Sequence, residues 1–95
     1  MLLLGVRMSL KESVLKAVET YNRYRSPEAT AKLVKFEGNE LIVDFGGTFC
    51  KGCGVYDYFE DLIYELKGLV DAQVEILSFE PQGTEGFRVK YTIKE

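Results

Sequence analysis

The sequence predicts an α+β two-layer sandwich, with two helices packed on one face of a mainly antiparallel four-stranded sheet. Three observations carry this. Two segments repeat apolar residues with a helical period, and four others have strand character. The six follow one another in the order helix-strand-strand-helix-strand-strand. The last segment alternates apolar and polar residues without interruption, as in a sheet with one dry and one wet face. At 95 residues the chain has the size of one domain, assigned to residues 9–95 behind a tail of residues 1–8.

The tail opens Met1-Leu2-Leu3-Leu4-Gly5-Val6. It lacks the basic leader, long apolar run and small-residue cleavage site of a signal peptide. It is also far shorter than the roughly 20 residues that span a bilayer. It is expected to pack on the domain or on a second subunit, or to precede a translation start at Met8.

Ser9-Leu10-Lys11-Glu12 reads as a capping box, in which the Ser hydroxyl and the Glu carboxylate each satisfy one backbone N–H at the helix start. Leu10, Val14, Ala17, Val18 and Tyr21 then form one stripe, so a first helix is expected from about Leu10 to about Arg23. It stops before Ser26-Pro27, because proline disfavours the helical region for its predecessor. A strand is expected over Ala29 to Phe36, then a turn at Glu37-Gly38-Asn39-Glu40, where Gly38 and Asn39 tolerate positive φ. Leu41, Val43 and Phe45 alternate with Ile42 and Asp44 in the hairpin's second strand.

A second helix is expected to begin near Val55 to Asp57, with Asp57 and Glu60 as a cap pair. Phe59, Leu62, Ile63 and Leu66 lie on one face of it, and Gly68 ends it. In the third strand Val74 and Ile76 share one face, and Leu77 and Phe79 are expected on the other. After the loop Pro81-Gln82-Gly83-Thr84-Glu85-Gly86, residues Phe87, Val89, Tyr91 and Ile93 alternate with Arg88, Lys90, Thr92 and Lys94.

Composition narrows the function. Apolar residues at 46% and charged residues at 28% exclude a disordered chain. A net charge of -3 argues against nucleic acid as a partner, since phosphate contacts need a basic face. No membrane partner is expected either. With no His in the chain, imidazole bases and imidazole metal ligands are excluded. Two Cys are too few for a disulfide framework, so a cytoplasmic protein is expected.

The one constellation with chemical content is Cys50-Lys51-Gly52-Cys53, followed by Gly54 and preceded by Gly46-Gly47. Two sulfurs three positions apart, on a loop leading into a helix, can face one point. Gly47, Gly52 and Gly54 let the backbone bend tightly there. The helix N-terminus and Lys51 both favour thiolate over thiol, and thiolate binds metal and attacks disulfides. Chance occurrence or simple packing of the thiols is the plain alternative. A redox pair of the thioredoxin kind wants a parallel βαβ setting, and here the setting is a hairpin. A closed zinc site or an iron–sulfur cluster wants four ligands, and one chain supplies two. Either metal reading therefore predicts a second chain that completes the site, as a homodimer or as a transient acceptor protein.

The run from Asn39 to Leu66, with the hairpin strand, Gly-Gly-Thr-Phe-Cys-Lys-Gly-Cys-Gly and the helix bearing Phe59, Leu62, Ile63 and Leu66, resembles the C-terminal NifU-type domain. Ser26-Pro27-Glu28 is similar to the Asp-Pro-Glu of PaaD-like proteins, with Ser26 in place of Asp. Both belong to the iron–sulfur cluster assembly domain superfamily. Gly54 stands where the NifU-type pattern commonly has Pro. The resemblance implies a helix-strand-strand-helix-strand(-strand) fold and a non-enzymatic scaffold or carrier. It also implies Cys50 and Cys53 as cluster ligands. Zinc, or no bound group at all, remains open for the same thiols. So do two other functions, a small thiol-redox protein and a protein-binding module that uses no metal.

Two further clusters have ordinary explanations. Asp57, Glu60 and Asp61 sit where carboxylates complement a helix dipole. Tyr21, Arg23, Tyr24 and Arg25 offer a stacking surface for single-stranded nucleic acid, but basic residues in a last helical turn are commoner for the dipole alone.

Overall fold

The structure, a computed structural model, describes residues 9–47, 55–83 and 86–94. The tail of residues 1–8 lies outside them. The elements are α1 (Leu10–Arg25), β1 (Thr30–Glu37), β2 (Glu40–Gly46), α2 (Val55–Lys67), β3 (Gln73–Pro81) and β4 (Gly86–Lys94). The four strands form one antiparallel sheet in the order β1-β2-β4-β3, and both helices pack on the same face. The expected α+β two-layer sandwich is what the chain adopts.

The capping box at α1 is complete. The Ser9 hydroxyl accepts from the Glu12 N–H at 3.2 Å, and the Glu12 carboxylate accepts from the Ser9 N–H at 2.9 Å. These bonds hold the Glu12 carboxyl below its usual range. Val14, Ala17, Val18 and Tyr21 are buried, as their spacing requires. The helix runs to Arg25, about two residues past the expected end, and stops at the residue before Pro27. Asn22 explains how α1 is joined to β1. Its amide donates to the Ala31 carbonyl at 2.9 Å and accepts from the Ala31 N–H at 2.7 Å, filling backbone bonds on the outer edge of the sheet.

The β1–β2 turn consists of Gly38 and Asn39 between the paired Glu37 and Glu40, with Gly38 at a φ of +61°. On the helix-facing side, Leu41, Val43 and Phe45 of β2 stand beside Val89, Tyr91 and Ile93 of β4 in the core. Facing them are Phe59, Leu62 and Leu66 of α2, spaced by a helical period.

Both outer strands carry a register shift, at Leu33/Lys35 in β1 and at Ile76/Ser78 in β3, while β2 and β4 pair without one. An extra residue in a strand reverses the facing of everything after it. This corrects the expected faces of β3. Leu77 occupies the shift, and Phe79 returns to the helix side opposite Val89, with its ring 5.2 Å from that of Phe59. Phe79 thus shares a face with Val74 and Ile76, and is separated from Leu77. Bulged outer strands also make poor templates for pairing with other chains.

Candidate functional site

The residues singled out by chemistry fall between β2 and α2. Cys50 and Cys53, with Lys51, Gly52 and Gly54, lie outside the described residues. Gly47 and the two ends from which the cysteine segment departs are described.

The β2 end is fixed by close backbone packing. Gly47 has a φ of +126°, and a Cβ there would stand 2.2 Å from the Glu28 carbonyl oxygen and 3.0 Å from that of Pro27. Only glycine fits, both for its dihedral and for the space. The strand end therefore lies directly against the α1–β1 turn. Gly47, expected to let the chain bend, has this second role as a contact surface.

The α2 end is fixed by three tyrosines. The Tyr21 hydroxyl of α1 donates to the Tyr58 carbonyl at 3.0 Å. The Tyr91 hydroxyl of β4 donates to the Phe59 carbonyl at 2.9 Å. Burial pushes the Tyr91 phenol far above its ordinary value, so it stays a donor across the usable pH range. Tyr58 itself reaches back to the α1–β1 turn and donates to the Glu28 carboxylate at 2.7 Å. That bond holds the Tyr58 phenol above its ordinary value. The expected Asp57–Glu60 cap pair is not formed as such, because α2 already begins at Val55 and Asp57 lies inside its first turn.

Beneath these two ends is a run of aromatic rings. Tyr21 and Phe45 meet edge to face at 5.6 Å, as do Phe59 and Phe87 at 5.6 Å, and Phe45 and Phe59 lie tilted at 5.2 Å. Tyr56 and Phe79 extend the run to the surface at 5.8 Å, each a little over 40% exposed. Interlocking rings give a rigid floor, because each aromatic pair adds packing energy beyond its area.

The two secondary clusters take structural places. Arg25 stacks over the Tyr21 ring at 4.6 Å and pairs with Asp61 at 3.4 Å and Glu65 at 3.1 Å, joining the helices. Tyr21 is fully buried while Tyr24 is exposed, so the two rings do not form one stacking surface. Among the described residues no group of three or more Cys, Asp or Glu is gathered for a metal ion. Also among them, no helix is long and apolar enough to cross a membrane.

No family model, curated protein or solved structure matches this chain.

Glu28 and Tyr58 are the site residues that sequence reasoning missed as a pair. Glu28 stood out within Ser26-Pro27-Glu28, but nothing local ties it to a tyrosine thirty positions on.

Proposed function

We propose that this protein is a scaffold or carrier for an iron–sulfur cluster, with the cluster as cargo and no catalysed reaction of its own. Cys50 and Cys53 supply two thiolates. A second copy of the chain, or an acceptor protein, supplies the remaining ligands. The protein works in the cytoplasm, where free thiols persist. The observation that carries this reading is the place of the CxxC segment. It joins the end of β2 to the start of α2 in an α-β-β-α-β-β fold, the element order that the NifU-type resemblance implies. The fixed ends on either side of the segment support it further, since a shared metal site needs its thiolates presented on a rigid base.

Anaerobic reconstitution with iron and sulfide tests the proposal. The expected product is brown, holds iron and sulfide in equal amounts, and elutes as a two-chain species. Cys50→Ser and Cys53→Ser should each abolish iron uptake while leaving the circular dichroism of the fold unchanged. A colourless protein whose thiols form a reversible disulfide would replace the carrier by a redox role. A protein that takes up zinc and no iron would replace the cluster by a single ion. Unaltered iron uptake in Cys50→Ser would remove that residue from the site.

A further inference from the structure

The two flanks of α2 differ in cover and in charge. On the flank toward α1, Asp61 and Glu65 pair with Arg25, and the Tyr58 carbonyl accepts from the Tyr21 hydroxyl. On the other flank Tyr56, Glu60 and Ile63 follow one another at helical spacing. There the Tyr56 ring meets that of Phe79 in β3 at 5.8 Å. β3 is an outermost strand, and no described strand lies beyond it. Its helix-facing residues Ile76 and Phe79 continue the apolar strip. Tyr56 and Phe79 are 43% and 44% exposed, and Ile63 and Ile76 are half-buried.

The strip also lies in the acidic part of the chain. Residues 55–81 hold seven Asp and Glu against one basic residue, Lys67, whereas the rest of the chain holds eight against eleven. On the α1 flank the acids are neutralised by Arg25. Among the described residues, Asp57, Glu60 and Glu75 make no ion pair. Exposed apolar side chains rimmed by charges of one sign suit a partner of the opposite sign. We propose that the strip between α2 and β3 is a docking surface for a basic amphipathic helix of a partner protein. Its apolar side chains cover Tyr56, Ile63, Ile76 and Phe79, and its Lys or Arg side chains meet Glu60 and its acidic neighbours.

Charge decides among the occupants. A second copy of the chain, seated on the same strip about a two-fold axis, would bring the same acids against these. The tail of residues 1–8 is apolar but has only one charged side chain, Arg7, so it matches the strip and not its rim. Strand addition to β3 is opposed by the register shift at Ile76/Ser78. A helix needs no backbone partner and presents apolar residues one turn apart, as the strip requires. The proposal uses nothing from Cys50 and Cys53 and stands apart from the cluster reading.

The test is a titration of the full, metal-free chain with a synthetic helical peptide of about 18 residues, Leu on one face and Lys on the other, followed by amide NMR shifts. Shifts are expected in Val55–Lys67 and Gln73–Pro81, with affinity falling as salt rises. A scrambled peptide of the same composition should bind at least about tenfold more weakly, and a peptide with Glu in place of Lys should not bind. Glu60→Lys and Tyr56→Ala should each weaken binding by about tenfold while the remaining amide spectrum is kept. Glu19→Lys changes the net charge equally but lies on α1, and should stay within about twofold of the parent.

Equal binding of the scrambled peptide, or equal losses in Glu60→Lys and Glu19→Lys, would overturn the proposal in favour of general charge attraction. Shifts on the strip that appear with protein concentration alone would assign it to a second copy. Shifts on the strip after removal of residues 1–8 would assign it to the chain's own tail. Either result would also overturn the proposal.

Discussion

The two faces of the sheet are built by the same four strands and do opposite work. The covered face stacks Phe45 and Phe87 against Phe59 of α2, with Val43, Val89, Leu41 and Tyr91 beside them, and all but the partly exposed Phe87 are buried. The open face carries a row of charges that alternate strand by strand, Lys32, Asp44, Arg88 and Glu80, each opposite the next. Within it the Asp44 carboxylate accepts two hydrogen bonds from Arg88, at 2.7 Å and 2.9 Å. Burial of apolar area scales with every side chain removed from water, whereas exposed ion pairs contribute little. The covered face therefore holds the fold, and the open face adds little to its stability.

The sharpest attempt to break this contrast is Phe59→Ala. Phe59 is fully buried and touches the rings of Phe45, Phe79 and Phe87. Its removal should cost about 3–5 kcal/mol, a large part of the stability of a domain this size. Urea unfolding should show a midpoint shifted far down or a chain already unfolded in buffer. A small shift would mean that the covered face is not where the stability lies.

Next in size is a comparison within β3. Leu77 and Phe79 are similarly exposed, at 52% and 44%, and simple alternation puts them on one face. The register shift separates them. Phe79→Ala should cost about 1.5–2.5 kcal/mol, because it takes a ring out of the aromatic floor. Leu77→Ala should stay within about 0.5 kcal/mol, as an exposed residue outside the core. Equal effects in urea unfolding would remove the bulge.

Tyr91→Phe is smaller again. It keeps the buried ring and loses the hydroxyl that donates to the Phe59 carbonyl. That carbonyl lies within α2, where the helix ladder offers it another donor. The expected loss is about 1 kcal/mol by urea unfolding, with the aromatic packing intact. A loss equal to that of Phe59→Ala would show that the hydroxyl, and not the ring, secures the helix.

Much of this architecture is legible in the residue order. The capping box, the Val14-Ala17-Val18-Tyr21 stripe, the Gly38-Asn39 turn and the alternation of β4 are local signals, and the structure has each where the spacing puts it, except that Thr92, on the face of β4 expected to be wet, is buried. What sequence alone misses is non-local. Nothing in Glu75 to Glu80 announces an extra residue in β3, because a bulge is fixed by the partner strand. The three tyrosine contacts that fix α2 join residues thirty or more positions apart. The cysteine pair shows the same division. Its spacing is readable as a motif, while the contact of Glu28 with Tyr58 beside it has no signature short of the folded chain.

The smallest effect belongs to the open face, and pH isolates it. The Arg88 guanidinium, hydrogen-bonded to Asp44, holds that carboxyl below the usual aspartate range, with Lys32 adding to the effect. A carboxyl depressed in the folded state contributes stability above its unfolded value, near about 3.9, and that contribution is lost as pH falls through the folded value. The parent should therefore lose stability on acidification below about pH 4 more steeply than Asp44→Asn, which has no carboxylate to protonate at this position. Glu12 acts with the same sign in both proteins, so it cancels in the difference. At neutral pH the variant should melt at most about 5 °C below the parent, as expected for a partly exposed pair. Thermal scans from about pH 7 to about pH 2 should bring the two melting curves together as Asp44 is protonated. A gap that persists in acid would show that Asp44 matters through its shape between Lys32 and Arg88, and the open face would then be more than a set of charges.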